Sequence, residues 1–171
     1  MANLVNVWRM IPINERNDIR KDEALENALS AARVFVGWGA IGNIMTNKLD
    51  DTDELEKALK RAYPGENNVN NGIRALMNFA YVMEQGDLVV LIGKTKSAVC
   101  VVQGEYDYGD SRPYGLPEGY EHQRQVSLLS REPKDVERVE WQCGGFADSQ
   151  FVTVRKSRHA IDASAIIKTV L

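Results

Sequence analysis

The chain has 171 residues, with 21 Lys and Arg against 24 Asp and Glu, so its formal net charge is −3. This length fits one domain, and the acidic balance argues against a strongly basic nucleic-acid coat protein, because non-specific phosphate binding needs Lys and Arg to displace counterions. The two cysteines, Cys100 and Cys143, and the two histidines provide neither a disulfide framework nor a four-ligand zinc site. We therefore expect no metal or other cofactor. Without a signal sequence or a membrane-spanning apolar run, the sequence predicts a cytoplasmic protein with no membrane partner.

The first part of the chain is predicted to form a strand and a helix. Residues 4–10 alternate in the manner of a strand, and Asp22 is placed to cap a helix in which Leu25 and Leu29 recur at helical spacing. The chain then reaches Trp38, which lies between two glycines. A ring in such a position is easily presented by a tight turn.

Two further helices are predicted before the central hairpin. Asp51 and Glu54 have the spacing of a capping box, and the helix that they begin ends before Pro64. Asn70 or Asn71 is placed to cap a third helix, whose apolar stripe extends to position 83 and packs on the sheet.

The middle of the chain predicts a hairpin that ends in an aromatic rim. Residues 88–92 and 98–102 are two apolar runs separated by turn and charged residues, which is typical of two paired strands. Tyr106 and Tyr108 follow, and their spacing of two places both rings on the same side of an extended segment. Such a pair of rings suits a flat ligand.

The last part of the chain predicts more strands. Residues 120–129 read as a strand with His122 and Arg124 on one face, and residues 151–154 read as a final barrel strand. Residues 158–171 are compatible with either a helix or a strand.

Five short segments occur in an order that resembles the PUA-like superfold. They are Trp8, Gly37-Trp38, Gly86-Asp87, Gly104-Glu105-Tyr106-Asp107-Tyr108 and His122-Gln123-Arg124-Gln125-Val126. Within that superfold they are similar to EVE-type domains and to the N-terminal reader domains of modification-dependent restriction systems such as McrB and Mrr-like proteins. The chain differs from that pattern at residues 126–128, where a Trp often follows the His-x-Arg strand. The resemblance implies an α+β fold, a curved β-barrel with flanking helices, formed by residues 1–171 as one domain, with 155–171 as a candidate C-terminal extension.

The resemblance also implies a non-catalytic reader that binds a modified or flipped nucleobase in an aromatic pocket, as the specificity module of a restriction or defence system. Its partners would be DNA or RNA with a modified base and an effector nuclease or NTPase subunit. The predicted ligand-binding residues are Trp8, Trp38, Asn43, Asp87, Tyr106, Tyr108, His122 and Arg124. Arg155, Lys156 and Arg158 are predicted to follow the nucleic-acid backbone.

The residue types fit distinct roles in such a pocket. Trp38 is suited to form one stacking wall for a base and Tyr106 or Tyr108 another, while Asp87 or Asn43 can accept a hydrogen bond from an exocyclic amine. Arg124 and His122 can hold a phosphate or the edge of the base.

Each assignment has a structural alternative. Trp8 can be read as a core ring, Arg124 as the partner of a nearby glutamate, and the C-terminal cations as a solvated cluster. For function, two alternatives remain open: a metal-dependent nuclease or hydrolase that uses Asp87, Glu105 and Asp107, and a free-nucleotide-binding module. The sequence contains no Walker loop, nucleophile elbow or His-Glu-x-x-His motif, so it favours binding over catalysis.

Overall fold

The computed structural model describes residues 4–13, 19–113, 116–129, 134–135, 154–156 and 161–162. Over these residues the chain has an α+β fold in which three α-helices accompany a strongly curled half-barrel sheet. This confirms the predicted curved barrel with flanking helices, and the curl of the sheet is compatible with a PUA-like fold. In the described part of the chain, no helix has both the length and the apolar character needed to cross a membrane.

The elements follow one another in a mixed order. The helices are α1 (Ile19–Ser30), α2 (Thr52–Ala62) and α3 (Asn70–Met77), and α3 continues into a π-helical turn at Asn78–Val82. The first five strands are β1 (Leu4–Val5), β2 (Val7–Met10), β3 (Arg33–Val36), β4 (Leu88–Ile92) and β5 (Lys96–Val102). The others are β6 (Asp107–Tyr108), β7 (His122–Leu128), β8 (Lys134–Asp135), β9 (Val154–Lys156) and β10 (Ile161–Asp162).

The main sheet has the strand order β3-β7-β5-β4-β2-β9, with β6 paired to β7 and β8 paired to β5. Strand β2 runs parallel to β4, whereas its other neighbour, β9, is antiparallel to it. The single strand predicted for residues 4–10 is therefore wrong, because β1 pairs with β10 and only β2 joins the main sheet. The predicted hairpin is confirmed, since β4 and β5 pair antiparallel from Leu88–Val101 to Ile92–Ser97.

The helix starts agree with the sequence prediction in only one of three cases. The side chain of Asp51 accepts hydrogen bonds from two main-chain N–H groups of the first turn of α2, as expected of an N-cap. Asp22 instead lies within α1, and its carboxylate accepts hydrogen bonds from the main chain of the β4–β5 turn. For α3, the side chain of Asn68 accepts a hydrogen bond from the N–H of Asn70, which is already helical.

The core lies between the concave side of the sheet and the helices. All five residues of β4 are buried, and α2 contributes Leu55 and Leu59 from its one apolar face. The predicted strand at 120–129 is β7, which starts two residues later. Of the predicted strand at 151–154, residues 151–153 lie outside the described residues, as do most of residues 158–171.

Candidate binding site

The turn after β3 places Trp38 in an unusual backbone conformation. Trp38 has φ 73° and ψ 23°, in the left-handed region that L-residues other than glycine rarely adopt. Its half-buried ring packs edge to face on Tyr63, with centroids 5.0 Å apart and an interplanar angle of 81°. A β-carbon built at Gly72 of α3 would lie 2.7 Å from Trp38 Cε2, so the missing side chain at that position makes room for the indole. The ring is thus held by two helices at a strained turn.

A chain of hydrogen bonds through the buried side chain of His122 supports the same turn. His122 Nε2 lies 3.2 Å from the carbonyl oxygen of Trp38, and His122 Nδ1 lies 2.7 Å from the hydroxyl of Tyr106. Because a carbonyl only accepts, Nε2 carries the proton and Nδ1 accepts from the Tyr106 hydroxyl. The same hydroxyl accepts a hydrogen bond from the N–H of Ile44 at 3.3 Å. The imidazole therefore links the Trp38 turn to the predicted aromatic rim.

Burial sets the protonation states of this chain. His122 is completely buried, and this burial lowers the pKa of its imidazole to about 4, so the ring is neutral at pH 7. Burial likewise raises the pKa of the Tyr106 hydroxyl, which stays protonated. The hydroxyl of Tyr108 donates to the carbonyl oxygen of Gly39 at 2.9 Å, and its ring lies 5.3 Å from the imidazole in an edge-to-face arrangement. All of these groups are neutral hydrogen-bond partners, which suits a rigid support.

The carboxylate of Glu121 lies against Gly39, the residue that follows Trp38 in the turn. Its Oε1 accepts a hydrogen bond from the N–H of Gly119 at 3.0 Å, and the carbonyl of Gly119 accepts from the N–H of Gly39 at 2.8 Å. Its Oε2 is buried against Gly39 and has no hydrogen-bond partner among the described residues. Glu121 was not among the residues predicted from the sequence.

The structure brings together four of the eight predicted ligand-binding residues. Trp38, Tyr106, Tyr108 and His122 form one contiguous cluster, which we call the Trp38 cluster. Asn43 lies in the following turn, where its Oδ1 accepts hydrogen bonds from the N–H groups of the second and third residues after it. Its side-chain oxygen therefore has a local structural partner.

Trp8 and Asp87 lie in the interior, away from that cluster. The Trp8 indole is completely buried, and its Nε1–H donates to Asp87 Oδ2 at 2.8 Å. The same carboxylate oxygen accepts a hydrogen bond from the N–H of Glu84 at 3.0 Å. In this structure the pair joins β2 to the entry of β4, and both side chains are buried. The sequence analysis named Trp8 and Asp87 as separate candidates, and only the structure shows that they are hydrogen-bonded to each other.

Arg124 is also internal. Its guanidinium is buried and donates to four main-chain carbonyl oxygens at distances from 2.7 to 3.2 Å, three of them in the π-helical turn and its end. The acceptors are Phe79, Ala80, Met83 and Gly104. These contacts satisfy carbonyls that the irregular helix end leaves open. Binding a phosphate would require Arg124 to give them up.

The predicted backbone-contacting residues are only partly described. Arg155 and Lys156 pair through their main chains with Arg9 and Trp8 in the sheet, and Arg158 lies outside the described residues. The described residues include no group of three or more His, Cys, Asp or Glu side chains placed to hold a metal ion. Asp87, which the nuclease alternative needs, is buried.

A groove lies elsewhere, between the end of α1, the residue that follows β5 and the second half of β7. Its volume is about 560 Å³, and it is open to solvent. Its lining residues are Leu29, Ala32, Gln103, Gln125, Val126, Ser127 and Leu128. None of them belongs to the Trp38 cluster.

Comparison with known proteins gives one match. A family model described as a domain of unknown function, DUF8426, matches residues 8–144. This range includes the Trp38 cluster and Glu121. No curated protein matches the chain. No solved structure matches it either.

Proposed function

We propose that this chain, which belongs to the DUF8426 family, is a non-catalytic nucleic-acid reader that binds a modified or flipped base at the Trp38 cluster. In this proposal it is an EVE-type member of the PUA-like superfold and acts as the specificity module of a restriction or defence system. The supporting observation is the half-buried Trp38 ring, held at a turn with φ 73°. Strained non-glycine residues persist where surrounding structure over-determines them, and they concentrate at ligand sites.

A rigid aromatic surface is what base recognition requires. Extruding a base from a duplex costs a few kcal/mol, and stacking on a protein ring returns about 1–3 kcal/mol per base. The return is largest when the ring is already in place before binding, because no side-chain ordering remains to be done. The buried link from Trp38 O through His122 to Tyr106 supplies that preorganisation.

The net charge of the chain indicates how much of the affinity can come from general attraction to phosphates. With a net charge of −3, general attraction to phosphates is weak, so affinity must depend on local contacts and on the base itself. We assign the backbone contacts to Arg155, Lys156 and Arg158. An effector nuclease or NTPase subunit would act on the bound nucleic acid.

The test is binding of short single- and double-stranded DNA and RNA, with and without 5-methylcytosine or N6-methyladenine, at one fixed moderate salt concentration. The test variant is Trp38→Gly, because glycine adopts φ 73° without strain and removes only the ring. The matched control is Met45→Ala, an exposed apolar side chain of the adjacent turn.

We expect the wild type to prefer one modified oligonucleotide and Trp38→Gly to bind it about 10- to 100-fold more weakly, as the loss of one stacking contact implies. Met45→Ala should bind like the wild type, and circular dichroism should show both variants folded. Equal binding of all oligonucleotides by the wild type would refute the proposal. Competition by the free modified nucleotide at equal affinity would favour the free-nucleotide alternative instead.

A further inference from the structure

We propose that Glu121 determines the specificity of this site by accepting a hydrogen bond from the exocyclic amino group of the bound base. The inference rests on the proposed reader function and deepens it, because it names the chemical class of the ligand. An amino-bearing base, cytosine or adenine, is recognised in preference to its keto counterpart.

The first observation is the unequal state of the two carboxylate oxygens of Glu121. Oε1 is hydrogen-bonded to the N–H of Gly119, whereas Oε2 is buried and lacks a donor among the described residues. The side chain as a whole is only 16% exposed. A buried charged acceptor without a donor is unfavourable in the free protein, and a ligand donor removes that penalty.

Among the residues that the structure describes, the polar groups near Glu121 do not hydrogen-bond to its Oε2. Arg112 Nε is 3.9 Å from Glu121 Oε1, too far for a hydrogen bond, and it donates instead to Asp110 at 2.8 Å. The hydroxyl of Tyr108 donates to the carbonyl of Gly39. The hydrogen bonds around the turn thus leave Oε2 as an acceptor with spare capacity.

The second observation is the position of Glu121 beside the proposed stacking surface. A side chain at Gly39 would collide with the Glu121 carboxylate, and Gly39 directly follows Trp38. Glu121 also directly precedes His122, whose ring supports the Trp38 carbonyl. Both neighbours place the Glu121 carboxylate at the turn that carries Trp38. In the proposed complex the Glu121 side chain rotates to bring Oε2 to the polar edge of a base stacked on the Trp38 ring.

The third observation is that the other acceptors predicted for this role are engaged. Asp87 Oδ2 accepts from Trp8 and from the main-chain N–H of Glu84, and Asn43 Oδ1 accepts from two N–H groups of its own turn. A carboxylate accepts hydrogen bonds only, so it pairs with the amino group of cytosine or adenine and repels the keto oxygen of thymine or hypoxanthine.

The test uses two matched oligonucleotide pairs, measured by fluorescence anisotropy at fixed salt. In one pair a single 5-methylcytosine is replaced by thymine, which keeps the methyl group and exchanges the amine for a keto oxygen. In the other pair N6-methyladenine is replaced by hypoxanthine. The variant is Glu121→Gln, and the matched control is Glu118→Gln, an exposed carboxylate in the same loop.

We expect the wild type and Glu118→Gln to prefer the amino-bearing member of one pair by about tenfold or more, and Glu121→Gln to lose most of that preference because an amide both donates and accepts. Equal affinity of the wild type for the two members of both pairs would overturn the inference, and this comparison needs no folded variant. An unchanged preference in folded Glu121→Gln would overturn it while leaving the reader function intact. Absence of binding to every oligonucleotide would overturn the reader function itself, and the inference with it.

Discussion

Protonation of His122 should destabilise the fold well below neutral pH. The imidazole is completely buried between the Trp38 carbonyl and the Tyr106 hydroxyl, and burial lowers its pKa from 6.5 to about 4. In the unfolded chain the ring takes up a proton near pH 6.5, whereas in the folded chain it does not do so until about pH 4. The unfolded state is therefore stabilised relative to the folded state as the pH falls between these values.

The size of the effect follows from the gap between the two pKa values. The gap is about 2.5 pH units, and each unit corresponds to about 1.4 kcal/mol, so the contribution is about 3 kcal/mol. It is fully present above pH 6.5 and is lost as the pH falls to about 4. No pH dependence from this residue is expected above pH 7.

Two measurements check this prediction. Urea unfolding of the wild type and of His122→Gln at pH 7 and at pH 4 should show a loss of unfolding free energy about 3 kcal/mol larger in the wild type. The chain contains only two histidines, so His159→Gln leaves a single imidazole whose titration can be followed by NMR. A pKa near 6.5 for that imidazole would refute the reasoning, whether or not His122→Gln folds.

Three further predictions concern contacts elsewhere in the structure. Gly72→Ala should lower the unfolding free energy by about 1–3 kcal/mol, because its β-carbon would lie 2.7 Å from Trp38, and this cost outweighs the better helix propensity of alanine. The control Gly65→Ala should change the unfolding free energy by less than about 0.5 kcal/mol, because a β-carbon at that position has no atom within 4 Å. Asp87→Ala should cost about 2–3 kcal/mol in urea unfolding, because the buried tryptophan of β2 loses its acceptor, and an unchanged midpoint would contradict this. Asp22→Ala should speed amide hydrogen exchange in the β4–β5 turn by about tenfold, since the Asp22 carboxylate accepts hydrogen bonds from three N–H groups there. Unchanged exchange would show that the turn is stable without these hydrogen bonds.

Short sequence patterns predicted those parts of the fold whose contacts lie between residues close together in the chain. The two apolar runs predicted the β4–β5 hairpin, and the spacing of Tyr106 and Tyr108 placed both rings on one side, where they meet the imidazole of His122. The N-cap of α2 was also predictable, because the Asp51 side chain bonds to its own helix.

The site could be predicted only in part, because alternation along a strand does not say which face is covered. Alternation along β7 predicted that His122 and Arg124 share one face, and the resemblance to PUA-like domains implied that this face binds a ligand. The structure places both inside, where main-chain carbonyls and a tyrosine hydroxyl satisfy them. Glu121 gave no signal in the sequence, since its neighbour Arg124 looked like its partner and only the folded turn shows its unpaired oxygen.

The parallel pairing of β2 with β4 has a consequence for how the chain folds. Strand β2 precedes both of its neighbours in the sequence, because β4 begins at Leu88 and β9 begins at Val154. The two hydrogen-bonding edges of β2 cannot both be paired until those two later segments have been synthesised. Pairings this distant in sequence slow folding and leave an apolar strand exposed to other nascent chains. Strand β2 is thus where misassembly would begin.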